Sequence, residues 1–186
     1  MDEIIQLKIT LKHSKPPIWR RVLVDKNISF DDLHYIIQHA MGWENAHLYS
    51  FDINNINIEI PFDDDDMFLF SNKITVSSEE ALLKDHLKKP KQKFQYEYDF
   101  GDSWIHDIVV EKFLPKENNK IYPVCIAGKR NCPPEDCGGI GGFYYMLDAL
   151  NDKNHPEHKD WKDWIEDYDP EYFDIDQVNE CLKGEA

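Results

Sequence analysis

Positive charge falls well short of negative charge in this chain. Its 186 residues carry 21 lysines and arginines against 36 aspartates and glutamates, a formal net charge of −15. A surface of that sign repels phosphate backbones and anionic lipid, which argues against nonspecific nucleic-acid binding and against membrane association. No apolar run approaches the roughly 18–20 residues that a bilayer-crossing helix needs. The opening residues Met1, Asp2, Glu3, Ile4 and Ile5 have neither the basic nor the apolar region of a secretory signal. Cysteine is scarce, with four in the chain. None of them stands in the two-residue separation of zinc ribbons and fingers. These absences point to the cytoplasm, where thiols stay reduced. No internal repeat and no long linker divides the chain, so the reading is one domain over residues 1–186.

What is present reads as a folded protein. Hydrophobic residues make up 41% of the chain and aromatics 13%, enough at this length for one domain with a real core. Ile5, Leu7, Ile9 and Leu11 alternate with Gln6, Lys8 and Thr10, the period of a half-buried strand. A second strand is expected from Ile18 to Val24. It carries Arg20 and Arg21 on opposite faces, either solvated and carboxylate-paired or with one turned inward. Leu33, Ile36, Ile37, Ala40 and Met41 repeat on one helical face, with Ser29 as the expected N-cap and Gly42 as the stop. His34, His39 and His47 in this region read as ordinary polar or half-buried residues. Strands are expected at 48–53 and 56–60 around the turn-prone Asn54 and Asn55, and a short helix from Glu79 to Leu87. The four carboxylates Asp63 to Asp66 read as a solvated loop.

The stretch from Phe94 to Gly142 holds most of the residues capable of chemistry. Phe94, Tyr96, Tyr98 and Phe100 alternate on one strand face, as a core would require. A corner at Gly101, Asp102 and Ser103 leads into a strand with Trp104, His106, Ile108 and Val110 on one face. A hairpin there would set Asp99, Asp102 and His106 close together, as a hydrogen-bonded turn, a general base with its orienting acids, or a metal site. Cys125, Cys132 and Cys137 are either small buried hydrophobes or three ligands of a zinc ion. Gly138 and Gly139 precede a helix and, with Lys129 and Arg130 nearby, offer an anion site, or simply set a rigid turn. Glu135 and Asp136 supply further acids at the same place. The last third is helical, with stripes at Phe143, Met146, Leu147 and Leu150, then at Trp161, Trp164, Ile165 and Tyr168. Asp174 is placed to cap a final helix through Ile175, Val178, Cys181 and Leu182.

Four segments occur together in order: Lys15-Pro-Pro-Ile-Trp-Arg-Arg-Val22, Ala40-Met-Gly-Trp43, Tyr98-Asp-Phe-Gly-Asp-Ser-Trp104 with His106, and Gly128-Lys-Arg-Asn-Cys-Pro-Pro-Glu-Asp-Cys-Gly-Gly139. In this combination the chain resembles the plasmid pRiA4b ORF-3-like family over roughly residues 3 to 183. The resemblance implies an α+β, roll-like single domain. Its antiparallel or mixed sheet carries an N-terminal ββα unit, with C-terminal helices packed on it. Some relatives carry a transposon-passenger, TnpR-like label, which would link the chain to mobile elements. Its charge and the lack of a recombinase-type serine with clustered arginines speak against a resolvase. The family brings no catalytic assignment to transfer, and Tyr49 stands where relatives often have a second histidine. Three readings follow. The first is a non-enzymatic binding domain with a groove near these motifs for a protein or small-molecule ligand. The others are a metal-dependent hydrolase or nuclease-like enzyme through Asp99, Asp102, His106, Glu135 and Asp136, and a zinc-stabilised module through the three cysteines.

Overall fold

The alternation at the N-terminus builds the middle of the sheet. The computed structural model describes residues 3–60 and 74–185; the acidic run Asp63 to Asp66 lies outside them. Strand β1 (Glu3–Leu11) pairs antiparallel with β2 (Trp19–Asp25) on one side and with β7 (Trp104–Pro115) on the other. Ile5, Leu7, Ile9 and Leu11 are each no more than 1% exposed, because the period of two sends them all to the helix-covered face.

Helix α1 (Phe30–Met41) begins at a reciprocal cap. Ser29 accepts from the Asp32 backbone N–H, and the Asp32 carboxylate accepts from that of Ser29. It ends at Gly42 in the left-handed region. Strands β3 (Tyr49–Ile53) and β4 (Ile56–Glu59) form a hairpin whose two turn residues, Asn54 and Asn55, have φ of 51° and 66°. Two such residues give the turn a twist that matches the strands. Strand β6 (Lys93–Tyr98) pairs with β3 and β7. With β5 (Ile74–Ser77) and β8 (Val124–Lys129), the order is β5-β4-β3-β6-β7-β1-β2-β8. Only β4 and β5 run parallel among these pairs. Helices α3 (Gly139–Asn151), α4 (His158–Ile165) and α5 (Ile175–Leu182) follow, and α5 packs on α1 and β8. The result is the α+β architecture expected, with its ββα start and C-terminal helices. No helix among the described residues is long and apolar enough to cross a membrane.

Some elements differ from the sequence reading. The aromatic strand stops at Tyr98, since Asp99 turns the chain with φ 54°, and Phe100 is 46% exposed rather than core. The helix expected over 79–87 is the single turn α2 (Leu83–His86). Helix α4 buries none of its residues fully; of the stripe expected there, Trp161 and Tyr168 pack partly buried against the core, while Trp164 is 48% exposed. Strands β5 and β8, each at a sheet edge, were not expected; they are short and only partly buried.

The glycine block draws the start of α3 onto the β6–β7 turn. A Cβ on Gly139 would stand 2.3 Å from the Asp102 carbonyl oxygen, and one on Gly142 only 1.9 Å from that of Cys137. Gly141, between them in the same helix, has nothing within 4 Å. Gly142→Ala is therefore expected to cost about 1–3 kcal/mol through overpacking. Gly141→Ala should gain about 0.5–1 kcal/mol through helix propensity. Urea unfolding of the two variants checks this; changes of the same sign would contradict the close approach.

Candidate functional site

A network of polar groups, buried at His34, Gln38 and Tyr96 and reaching out to the exposed Asn45, fixes the chain that leaves α1. His34 and Gln38, one helical turn apart, are each 1% exposed. The Tyr96 hydroxyl lies 2.8 Å from His34 Nδ1 and accepts a bond from Gln38 Nε2 at 2.9 Å. His34 Nε2 lies 2.6 Å from Asn45 Oδ1, and the Asn45 backbone N–H donates to Gln38 Oε1. A neutral ring satisfies every partner, with Nε2–H donating to Asn45 and Nδ1 accepting from Tyr96. Burial brings the His34 pKa down to about 4, against the opposing pull of Asn45 and Asp31.

The segment pinned in this way is tied to a second one far along the chain. Trp43 Nε1 donates to the Pro133 carbonyl at 3.0 Å, and the Glu44 N–H donates to Glu135 Oε1 at 3.1 Å. Tyr98 bridges the two segments: its hydroxyl donates to the same Glu135 oxygen at 2.7 Å and accepts from the Ala46 N–H at 2.9 Å. Burial, then the Glu135 carboxylate, pushes the Tyr98 phenol well above its ordinary range. Glu135 thus acts as the clasp between 43–47 and 133–136.

Between the end of α1, this clasp and α5 lies a cavity of about 570 Å³, of a size usual for small-molecule sites. Its walls include Trp43, Cys132, Tyr168, Phe173 and Val178, with Arg20 among them. Arg20 lies in register with Ile18, Val22 and Val24 and is 3% exposed. Its Nε donates to the Ala40 carbonyl at 2.7 Å, and its Nη1 to those of Trp19 and Lys129 at 3.0 and 3.2 Å. The guanidinium lies 4.4 Å from the centre of the Phe173 ring. No carboxylate pairs with it among the described residues, and Nη2 makes no hydrogen bond there. Desolvation accordingly lowers its pKa, while Cys132 and Cys125 act in the other direction; a guanidinium still stays protonated. Arg21, on the opposite face, is the carboxylate-paired one. Its Nε and Nη2 donate to the two Glu111 oxygens at 2.6 and 2.9 Å.

Asp136 lines the cavity and also belongs to a second cluster. Ligand atoms of His47, Asp99 and Asp136 all lie within 4.8 Å of one another, the one such group of three or more among the described residues. His47 Nε2 is 3.2 Å from Asp136 Oδ1 and 3.7 Å from Asp99 Oδ2. The nitrogen is buried and makes no hydrogen bond. Asp99 is 8% exposed, and its Oδ1 accepts from the Gly101 N–H at 2.9 Å.

The residues singled out in the sequence divide around this geometry. Asp99 and Asp136 meet; Asp102 and His106 do not join them. Asp102 Oδ2 accepts from the Gly138 N–H at 3.1 Å, holding the turn to the start of α3. His106 is 0% exposed and faces the core with Trp104, Ile108 and Val110. Its Nδ1 lies 3.0 Å from the Trp104 carbonyl, and its ring meets Trp43 edge-on at 5.3 Å. Burial brings its pKa to about 4. The imidazole beside Asp99 is that of His47, which the sequence reading treated as ordinary.

Cys125, Cys132 and Cys137 are buried free thiols, and they do not converge on one ion-sized site. Burial raises all three, Cys137 to about 12, which keeps them protonated. Lys129 is exposed and contributes its carbonyl to Arg20. Arg130 turns to the 170–171 segment, with Nη2 2.9 Å from Glu171 Oε1. The cations are thus not gathered at Gly138 and Gly139, whose backbone is engaged with the Asp102 turn. Of the two arginines on β2, either of which the sequence allowed to turn inward, it is Arg20 that does so, from its place between Ile18 and Val22 on an apolar strand face.

Comparison with known proteins places these segments in a wider set. The model of the plasmid pRiA4b ORF-3-like proteins matches residues 3–177. The uncharacterized protein y4hQ of Sinorhizobium fredii is 32% identical over 181 residues, covering 96% of this chain and 90% of that one. The crystal structure of MM3350 from Methanosarcina mazei Go1, titled a protein of unknown function, is similar with a TM-score of 0.86. It is 37% identical, and the match covers 96% of this chain and 98% of that one.

Proposed function

The chain belongs to the plasmid pRiA4b ORF-3-like family, and on that premise we propose that it is a non-enzymatic binding domain of the cytoplasm that holds a small organic anion in the groove at Arg20. The observation that carries this reading is the unpaired buried guanidinium. A charge removed from water is ordinarily paired, whereas Arg20 has only carbonyls and the Phe173 ring, with Nη2 left over. A carboxylate, sulfonate or phosphate on the ligand would supply the missing counter-charge, and Trp43, Tyr168 and Phe173 would take an aromatic or apolar body. The rim acids Glu44, Asp136 and Asp174 disfavour polyanions, consistent with a ligand that carries its charge at one end. Four free thiols fit a reducing compartment.

Cys181 provides a reporter, since it lines the groove and is exposed while the other three cysteines are buried. Under native conditions iodoacetamide is expected to alkylate Cys181 about a hundred-fold faster than the rest, following access to the thiolate. The aromatic anion 1-anilinonaphthalene-8-sulfonate should protect it, with saturable one-to-one fluorescence, and Arg20→Met should remove both effects. Alkylation of Cys181 that ignores the dye would count against the groove.

A further inference from the structure

We propose that His47, Asp99 and Asp136 bind one divalent transition-metal ion at the mouth of the groove. One imidazole and two carboxylates form a donor set suited to zinc or manganese. Donors bound at about 2.0–2.2 Å to a common ion stand roughly 3–4 Å apart. The distances of 3.2 and 3.7 Å from His47 Nε2 to the two aspartates fall in that interval.

The unpartnered ring nitrogen of His47 is the second observation. An ordinary His–Asp pair aligns its N–H with a carboxylate oxygen. Here Nε2 is shielded from solvent with two carboxylate oxygens close by, yet it makes no hydrogen bond to either. The Asp136 oxygen, at 3.2 Å, is off the line of an N–H bond, and the Asp99 oxygen, at 3.7 Å, is beyond hydrogen-bond reach, so the nitrogen is left without a partner. Asp99 adds a charge problem that an ion would resolve. It is 8% exposed, Oδ1 is held by Gly101, and no lysine or arginine pairs with it among the described residues.

The cluster is also held in place before any ion arrives. Asn45 and Ala46 fix the approach to His47, and Glu135, the residue before Asp136, is held by the Glu44 N–H and the Tyr98 hydroxyl. Three protein donors leave coordination positions free, and Asp136 belongs both to the cluster and to the lining of the groove. The site stands on its own geometry and does not depend on what the groove binds.

The test is a calorimetric titration of Zn2+ into chelator-treated protein purified without a histidine tag. One ion per chain is expected, with a dissociation constant of about 1 µM or tighter. His47→Ala and Asp99→Asn should each weaken it by at least about thirty-fold, and the exposed Asp136→Asn by about ten-fold. Cys132→Ser should leave it unchanged. Circular dichroism reports whether each variant folds; if the buried substitutions unfold the chain, Asp136→Asn decides. Absence of saturable binding below about 100 µM, affinity indifferent to Asp136→Asn, or a site lost with Cys132→Ser would each overturn the assignment.

Discussion

Arg20→Met is expected to lower the unfolding free energy by about 3 kcal/mol, as three carbonyls, the buried one of Ala40 and the partly buried ones of Trp19 and Lys129, lose their donor together. Methionine replaces much of the stem volume, so a cavity contributes little. Losing the desolvation penalty of the guanidinium offsets part of the cost, and the remainder reflects unpaired acceptors on β2, α1 and β8 at once. Arg20→Lys separates charge from geometry. An ammonium has the charge but not the planar fork that reaches Ala40 and Lys129 simultaneously, so about 2 kcal/mol should still be lost. Urea unfolding at pH 7 measures both. A loss well under about 1 kcal/mol for the methionine variant would mean that the guanidinium is not a structural hub.

Mild acid should destabilise the fold through two histidines. The pKa values of His34 and His106 lie at about 4 in the folded chain, burial being the largest cause for each, against about 6.5 when unfolded. Above pH 6.5 both states are neutral and the full stability is present. As the pH falls from 6.5 toward 4, only the unfolded chain takes up protons, so stability is lost across that window. At pH 5 each ring costs about 2 kcal/mol, about 4 kcal/mol for the pair. That is a large part of an ordinary domain's stability. Lowered carboxylate pKa values at Glu111, set mainly by Arg21, and at Asp25, set by Lys116 and Asn27 against its own desolvation, add losses only at lower pH. His106→Leu should halve the fall between pH 7 and pH 5. Urea midpoints that stay level over that range would contradict the buried neutral rings.

The fold was legible where local pattern and tertiary outcome agree. The strict alternation at Ile5 to Leu11, the Ser29 cap and Gly42 stop of α1, and the Asn54–Asn55 turn each have one low-energy local solution, and each is found. Edge strands β5 and β8 left weaker traces because they are short and bury too few side chains to enforce a regular alternation. Trp164 read as core with Trp161, yet only Trp161 packs against it, because spacing alone does not say which residues of a stripe a partner surface covers.

The site was legible in part. Asp99, Glu135 and Asp136 stood out as acids near turns, and all three converge on the 43–47 segment. His106 was set beside Asp99 by its nearness in sequence, but the strand period sends its ring into the core, away from the turn. His47 takes the position next to Asp99 through the β3–β6 pairing, a contact that no local spacing encodes.

Whether Arg20 receives an anion is decided by one crystal soak. With 1-anilinonaphthalene-8-sulfonate, density is expected between Trp43, Tyr168 and Phe173, with a sulfonate oxygen about 3 Å from Arg20 Nη2. An ordered dye bound elsewhere, or a groove that stays filled only by water at saturating dye, would contradict the account.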